Sequence, residues 1–133
     1  MRLAVYGTLR RGFPDTGKLK GFSLVFPGTM SFPALIKNEN GKGAVVEMLD
    51  VTEDDLSYYD RYENIDGGLY IRTTAEVNLD SGKKEKAWVY VAGPLLWENS
   101  QTFTEVPDGD WFSRKTSNMM EKVDEYERET TEF

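Results

Sequence analysis

Two short passages of the sequence carry residue types that could do chemistry, and the first is Tyr6-Gly7-Thr8-Leu9. A strand that ends at glycine leaves successive backbone N–H groups unpaired, and the absent side chain lets a ligand approach the main chain closely. A row of such donors suits a carboxylate or an oxyanion. The residues alone leave a second interpretation open, in which Gly7 merely ends a strand.

The second passage surrounds Glu63. The acidic start Thr52-Glu53-Asp54-Asp55 predicts a helix, because Thr caps free amide hydrogens and acidic residues favour the positive end of the helix dipole. Leu56, Tyr59 and Glu63 then share one face. If Leu56 and Tyr59 pack inward, Glu63 loses water, which suits a carboxylate that must take and give a proton. Asp60 is a rival near the same face, and a simply solvated Glu63 also fits the pattern.

A third group of residues lies on two predicted strands. Alternation along Leu69-Tyr70-Ile71-Arg72 puts Tyr70 and Arg72 on one face of a strand. The hydroxyl of Tyr70 could line a pocket, and Tyr90 on the partner strand has the same expected role. Arg72 is expected to pair with an acidic residue. The segment 108–111 predicts a turn with an anchoring Trp and no chemistry.

The composition narrows the kinds of site that this chain can build. Its 133 residues suit one domain, and seven Phe, seven Tyr and three Trp supply a core. There is no Cys and no His, which excludes thiolate sites, cysteine nucleophiles and Ser-His-Asp triads. A net charge of −7 disfavours nucleic acid and anionic membranes as partners. With no apolar stretch near the roughly 20 residues of a membrane span, a cytoplasmic location is expected.

Hydrophobic patterning predicts the elements that must position these residues. Strands are expected at 3–6, 22–26, 44–49, 69–79 and 86–91, the last two forming a hairpin. The helix begun at Thr52 is expected to reach about Tyr62. Residues 8–20 contain Gly12, Pro14 and Gly17 and predict a loop. The polar tail 113–133 has weakly helical spacing and predicts a docking or intersubunit helix.

Several motifs together resemble the gamma-glutamylcyclotransferase-like family. Val5-Tyr6-Gly7-Thr8-Leu9-Arg10 is similar to its YGTLR signature, and Tyr59-Asp60-Arg61-Tyr62-Glu63 followed by Leu69-Tyr70-Ile71-Arg72 resembles its acidic and Y-x-R stretch. Phe32-Pro33-Ala34-Leu35 resembles a pocket-lining element, and Ala87–Val91 and Gly109–Trp111 resemble the late strand and closing motif. The likeness spans about residues 1–112, which defines the expected domain, with 113–133 as a separate helical tail.

The resemblance implies an α+β fold, a small mixed β-barrel with flanking helices, and no metal or organic cofactor. It implies a small-molecule gamma-glutamyl substrate that is cleaved to 5-oxoproline and a free amine, with Glu63 as the catalytic acid/base. The substrate-binding residues expected from it are Tyr6, Gly7, Thr8, Leu9, Pro33, Tyr70 and Tyr90.

Two other functions stay open from the sequence. The same pocket could bind a small carboxylate ligand without chemistry, because a fold does not guarantee activity. The tail 113–133 could instead be an assembly arm, and the protein is expected to be a monomer or a homodimer.

Overall fold

Five strands form a closed barrel. The computed structural model describes residues 1–7, 9–28, 32–62, 67–100 and 102–112. The strands follow one another around a closed barrel in the order β1-β5-β2-β6-β7. Their bounds are β1 (Arg2–Val5), β2 (Thr16–Leu19), β5 (Ala44–Asp50), β6 (Tyr70–Leu79) and β7 (Lys84–Ala92).

A single parallel contact closes this barrel. β1 pairs antiparallel with β5, and on its other side it pairs parallel with β7 at Leu3 and Trp88. The β6–β7 hairpin is the longest pairing, running from Tyr70 opposite Ala92 to Asn78 opposite Lys84. The predicted α+β class with a small mixed barrel is therefore confirmed.

In the described part of the chain, a second, smaller sheet and two helices flank the barrel. The sheet has the order β4-β3-β8, formed by β3 (Phe22–Pro27), β4 (Ala34–Lys37) and β8 (Phe103–Glu105). The helices are α1 (Glu53–Tyr62) and α2 (Pro94–Asn99). A 3-10 turn at Pro107–Gly109 precedes Trp111, which is fully buried and packs against Phe26.

The structure confirms most of the predicted elements and corrects one. The helix that was expected to reach about Tyr62 does reach that residue, and the expected hairpin is present. The loop prediction for residues 8–20 is wrong in part, since Thr16–Leu19 forms β2 between β5 and β6. Gly17 weakens the strand pattern of the sequence, although the packing requires a glycine at this position. A Cβ on Gly17 would lie 2.6 Å from the carbonyl oxygen of Asn78.

The side chains of the alternating and continuous apolar stretches of the sequence pack into one core. Buried side chains come from both sheets and from α1 and α2, among them Leu3, Val5, Leu24, Leu35, Val46, Leu56, Val89 and Leu96. Within the described residues, no helix is both long and apolar enough to cross a membrane. The expected tail helix at 113–133 lies outside the described residues, so the division at residue 112 stays a prediction.

Candidate functional site

Helix α1 begins with the cap that its sequence predicts. The N–H of Asp55 donates to Oγ1 of Thr52 (3.1 Å), and the N–H of Thr52 donates to Oδ2 of Asp55 (2.9 Å). This reciprocal pair satisfies two otherwise free amide groups and fixes where the helix starts. The start in turn sets which residues face the barrel.

The described part of α1 buries the face that the sequence predicts. Leu56 is buried and Tyr59 is half-buried against the core. Burial raises the pKa of the Tyr59 hydroxyl, and the negative charge of Asp55 and the neighbouring Tyr58 act in the same direction. Glu63, the predicted catalytic residue, lies outside the described residues.

Asp60 does not act as a free carboxylate, because two residues of the β6–β7 hairpin hold it. Its Oδ1 accepts hydrogen bonds from Nε of Arg72 (2.8 Å) and from the hydroxyl of Tyr90 (2.7 Å). Its Oδ2 accepts from Nη2 of Arg72 (3.1 Å). The guanidinium also stacks on Trp88, 4.4 Å from the ring centre. The predicted pairing of Arg72 with an acidic residue is confirmed, and Asp60 fastens α1 to the barrel.

Tyr90 reaches two parts of the predicted site at once. While its hydroxyl donates to Asp60, its carbonyl oxygen accepts a hydrogen bond from the hydroxyl of Tyr6 (2.7 Å). Tyr6 and Tyr90 are fully buried. The structure therefore brings the last turn of α1 and the end of β1 onto one buried tyrosine.

Tyr70 and Pro33 form a second contact between predicted site residues. The hydroxyl of Tyr70 donates to the carbonyl oxygen of Pro33 (2.8 Å), and both residues are buried. The ring of Phe32 lies 6.4 Å from that of Tyr70. This contact joins the residue before β4 to the first residue of β6.

In the passage after β1, the structure describes Gly7 and Leu9, and both contact other residues. Gly7 is buried, and its carbonyl oxygen accepts a hydrogen bond from the N–H of Arg10 (3.1 Å). Leu9 is half-buried against the core. Thr8 lies outside the described residues, and the expected row of donors at Gly7, Thr8 and Leu9 stays a prediction.

Sequence reasoning missed a buried carboxylate next to this passage. Glu47 on β5 is 2% exposed, and its Oε1 accepts hydrogen bonds from three consecutive N–H groups, those of residues 11, 12 and 13. Its Oε2 accepts from Nε of Arg10 (2.9 Å). The available signal was a single charge inside the apolar run Ala44–Met48, where a solvated face would show alternation.

Hydrogen bonds from the loop after β1 stabilise the charged form of Glu47. Burial by itself would raise the pKa of Glu47, but the hydrogen bonds from Arg10 and the three backbone amides outweigh it and lower the pKa. Nη1 of Arg10 also pairs with Oδ1 of Asp110 (2.7 Å), and the guanidinium lies over Phe112. Arg10 thus connects the loop after β1 to β5 and to the end of the described chain.

A cavity of about 290 Å³ lies beside the hairpin. Its lining is mostly apolar, with two hydroxyls and one ammonium group, and consists of Phe22, Leu35, Ile36, Lys37, Thr73, Thr74, Val91, Ala92 and Trp97. Tyr6, Pro33, Tyr70 and Tyr90 do not line it. In the described part of the chain, acidic side chains form no group of three or more that could hold a metal ion.

Comparison with known proteins agrees with this fold. A family model described as gamma-glutamyl cyclotransferase, AIG2-like, matches residues 3–113. No curated protein matches the sequence significantly.

Solved structures with the same fold differ widely in sequence. An uncharacterized protein from Pyrococcus horikoshii is 23% identical, with a TM-score of 0.59, over 86% of this chain and 92% of its own. A gamma-glutamyl cyclotransferase is 15% identical (TM-score 0.62; 92% and 85% covered). An uncharacterized protein from Homo sapiens is 13% identical (TM-score 0.63; 99% and 88% covered). At these identities the likeness shows the fold alone.

Proposed function

This chain belongs to the gamma-glutamyl cyclotransferase, AIG2-like family, and from that premise we propose that it cleaves a gamma-glutamyl amide of a small molecule. The products are 5-oxoproline and a free amine. The reaction needs no nucleophile from the protein, which fits a chain without Cys or His. A compound carrying a free α-amine and α-carboxylate on its glutamyl half is the proposed substrate class.

In the proposed reaction the substrate attacks itself. Its α-amine nitrogen forms a bond to the γ-carbonyl carbon, and the amide C–N bond to the leaving amine breaks. Glu63 takes the proton from the attacking ammonium group and passes it to the leaving nitrogen. Holding amine and carbonyl together makes the attack intramolecular, with effective molarities that reach roughly 10⁵ to 10⁸ M.

The role proposed for the passage after β1 is to hold the substrate. Backbone amides of Gly7, Thr8 and Leu9 bind the α-carboxylate, as fixed main-chain donors do for anions elsewhere. Tyr6, Pro33, Tyr70 and Tyr90 form the surrounding wall. The hydroxyls of the three tyrosines donate to the carbonyl oxygens of Tyr90 and Pro33 and to the carboxylate of Asp60, so we assign these side chains a shaping role rather than proton transfer.

The contact of Tyr90 with both Asp60 and Tyr6 is the observation that carries this proposal. Asp60 stands three residues before Glu63, and Tyr6 stands directly before Gly7. One buried tyrosine therefore fastens the segments that lead into the proposed acid/base and into the proposed carboxylate site. This supports placing both functions around a common substrate.

Turnover of a panel of gamma-glutamyl amines and peptides, followed by measuring 5-oxoproline, tests the proposal. The variant Glu63→Gln should keep the fold and lower kcat by about 10²-fold or more, the usual contribution of a general acid/base. Glu53→Gln is the matched control, since Glu53 is exposed in the first turn of α1 and makes no proposed contact with substrate.

Normal turnover by Glu63→Gln would show that the mechanism is wrong. If no compound yields 5-oxoproline while some raise the melting temperature, the protein binds a small carboxylate without reaction.

A further inference from the structure

We propose that Glu47 is a positioning residue that holds the loop after β1 in the shape required to bind the substrate's α-carboxylate. This inference rests on the proposed function, because the group that it positions is the Gly7–Leu9 passage. Glu47 does not contact the substrate in this proposal. It acts through Arg10 and through the backbone of residues 11–13.

The first support is that Glu47 accepts hydrogen bonds from a set of donors suited to binding an anion. Three successive N–H groups converge on its Oε1, those of Arg11 (2.9 Å), Gly12 (2.8 Å) and Phe13 (3.0 Å). Convergent main-chain donors form an anion-binding concavity. Here the protein's own carboxylate occupies that concavity, and in this proposal the substrate's carboxylate binds at the neighbouring Gly7–Leu9 passage instead.

The second support is that the same carboxylate controls the neighbouring passage through Arg10. Oε2 of Glu47 accepts from Nε of Arg10, and the backbone N–H of Arg10 donates to the carbonyl oxygen of Gly7. Arg10 is 9% exposed and is held from its other side by Asp110. The side chain of Arg10 is thus held between two carboxylates, and the backbone N–H of the same residue closes the turn onto Gly7.

The third support is the cost of placing a charge in this position. A carboxylate that is 2% exposed on an otherwise apolar strand would be unfavourable without full hydrogen bonding. An apolar residue would pack there without such a requirement, as replacement of buried ion pairs in other proteins shows. The hydrogen bonds of Glu47 therefore favour a single conformation of the loop after β1. A loop that binds substrate requires such a fixed conformation.

Steady-state kinetics of Glu47→Gln test the proposal. The amide keeps the size of the side chain but offers one acceptor, and it presents an NH₂ group either to Arg10 or to the backbone donors. We expect KM for the best gamma-glutamyl substrate to rise about tenfold or more and kcat to change much less, because the lost interaction is one of binding. Concentrations are corrected for the folded fraction.

A control separates positioning from general loss of stability. Val77→Ala removes buried apolar contacts on β6, away from the contacts of Glu47, and should lower the melting temperature without altering KM. A second variant, Asp110→Ala, removes the other partner of Arg10 and should raise KM about threefold or more. It carries the test if Glu47→Gln does not fold. An unchanged KM in the folded variants would overturn the inference.

The binding of 5-oxoproline distinguishes this inference from the proposed function. If the wild-type protein turns over no substrate, the proposed function fails, and calorimetric titration with 5-oxoproline still measures the carboxylate site. A Kd about tenfold weaker in Glu47→Gln than in Val77→Ala supports the positioning role. Equal Kd values, or no binding by the wild type, overturn it.

Discussion

Glu47 and Asp60 show how the surroundings of a carboxylate decide what it does. Glu47 is enclosed by Arg10 and three backbone amides, and Asp60 is held by Arg72 and Tyr90 at a partly exposed position. In the structure Glu47 accepts four hydrogen bonds and Asp60 accepts three. We therefore assign neither of them proton transfer, and the acid/base of the proposed reaction is Glu63.

The lowered pKa of Glu47 predicts an acid-sensitive contribution to stability. A carboxylate whose folded pKa lies below its ordinary value of 4.5 stabilises the fold above that value and loses the contribution as pH falls through the folded pKa. Glu47→Gln should be less stable than the wild type by about 3–5 kcal/mol at pH 7, as for other buried pairs broken at one partner.

Urea unfolding as a function of pH checks this sign. The difference in unfolding free energy between the wild type and Glu47→Gln should shrink as pH is lowered from about 5, because the wild type loses what the variant already lacks. A difference that stays constant or grows toward acid pH would contradict the assignment.

At the scale of elements, the barrel depends on a strand that contains a glycine. β2 lies between β5 and β6, and Gly17 on β2 pairs with Leu79. The backbone of β6 comes so close that any side chain at Gly17 would overlap Asn78 and Val77. The same glycine that argues against a strand in the sequence thus permits the close strand contact that completes the barrel.

Gly17→Ala tests this close approach. The added methyl must displace the β6 backbone, so we expect a loss of about 1–3 kcal/mol in unfolding free energy, the usual cost of overpacking. Lys18→Ala, on the same strand but exposed, should change stability by no more than about 0.5 kcal/mol. Equal stabilities of the two variants would show that β6 yields freely at this contact.

At the scale of the whole molecule, the chain is acidic overall and its described part ends on a buried anchor. The net charge is −7, so we expect nucleic acid and strongly anionic substrates to be steered away from the protein and a cationic amine not to be. Trp111 is wholly buried beside Phe26, and Asp110 before it pairs with Arg10. We therefore expect the folding unit to close at about residue 112.

Truncation tests where the folding unit ends. A protein ending at Phe112 should keep nearly the full unfolding free energy, whereas Trp111→Ala in the full chain should lose about 3–5 kcal/mol through the cavity it leaves. Light scattering of both proteins shows whether 113–133 contributes to assembly, with a monomer or homodimer expected. If the protein ending at Phe112 is unfolded, the folding unit extends into residues 113–133.

The sequence by itself determined the elements whose signals are local. The capped start of α1 follows from Thr52 and Asp55, the β6–β7 hairpin follows from alternation and a turn at residues 80–82, and the ordered motifs indicated the family. These features depend on neighbours within a few residues, so a linear pattern contains them. The chemistry excluded by the absence of Cys and His is equally local information.

Only the tertiary structure decided which residues meet across long separations. The strand character of residues 16–19 depends on partners at 44–47 and 78–79, and no local pattern contains them. Glu47 finds Arg10 from 37 positions away, and Tyr6 finds Tyr90 from 84. A buried carboxylate and a buried hydroxyl form hydrogen bonds with the groups that the fold places next to them. That placement follows from the closing of the barrel.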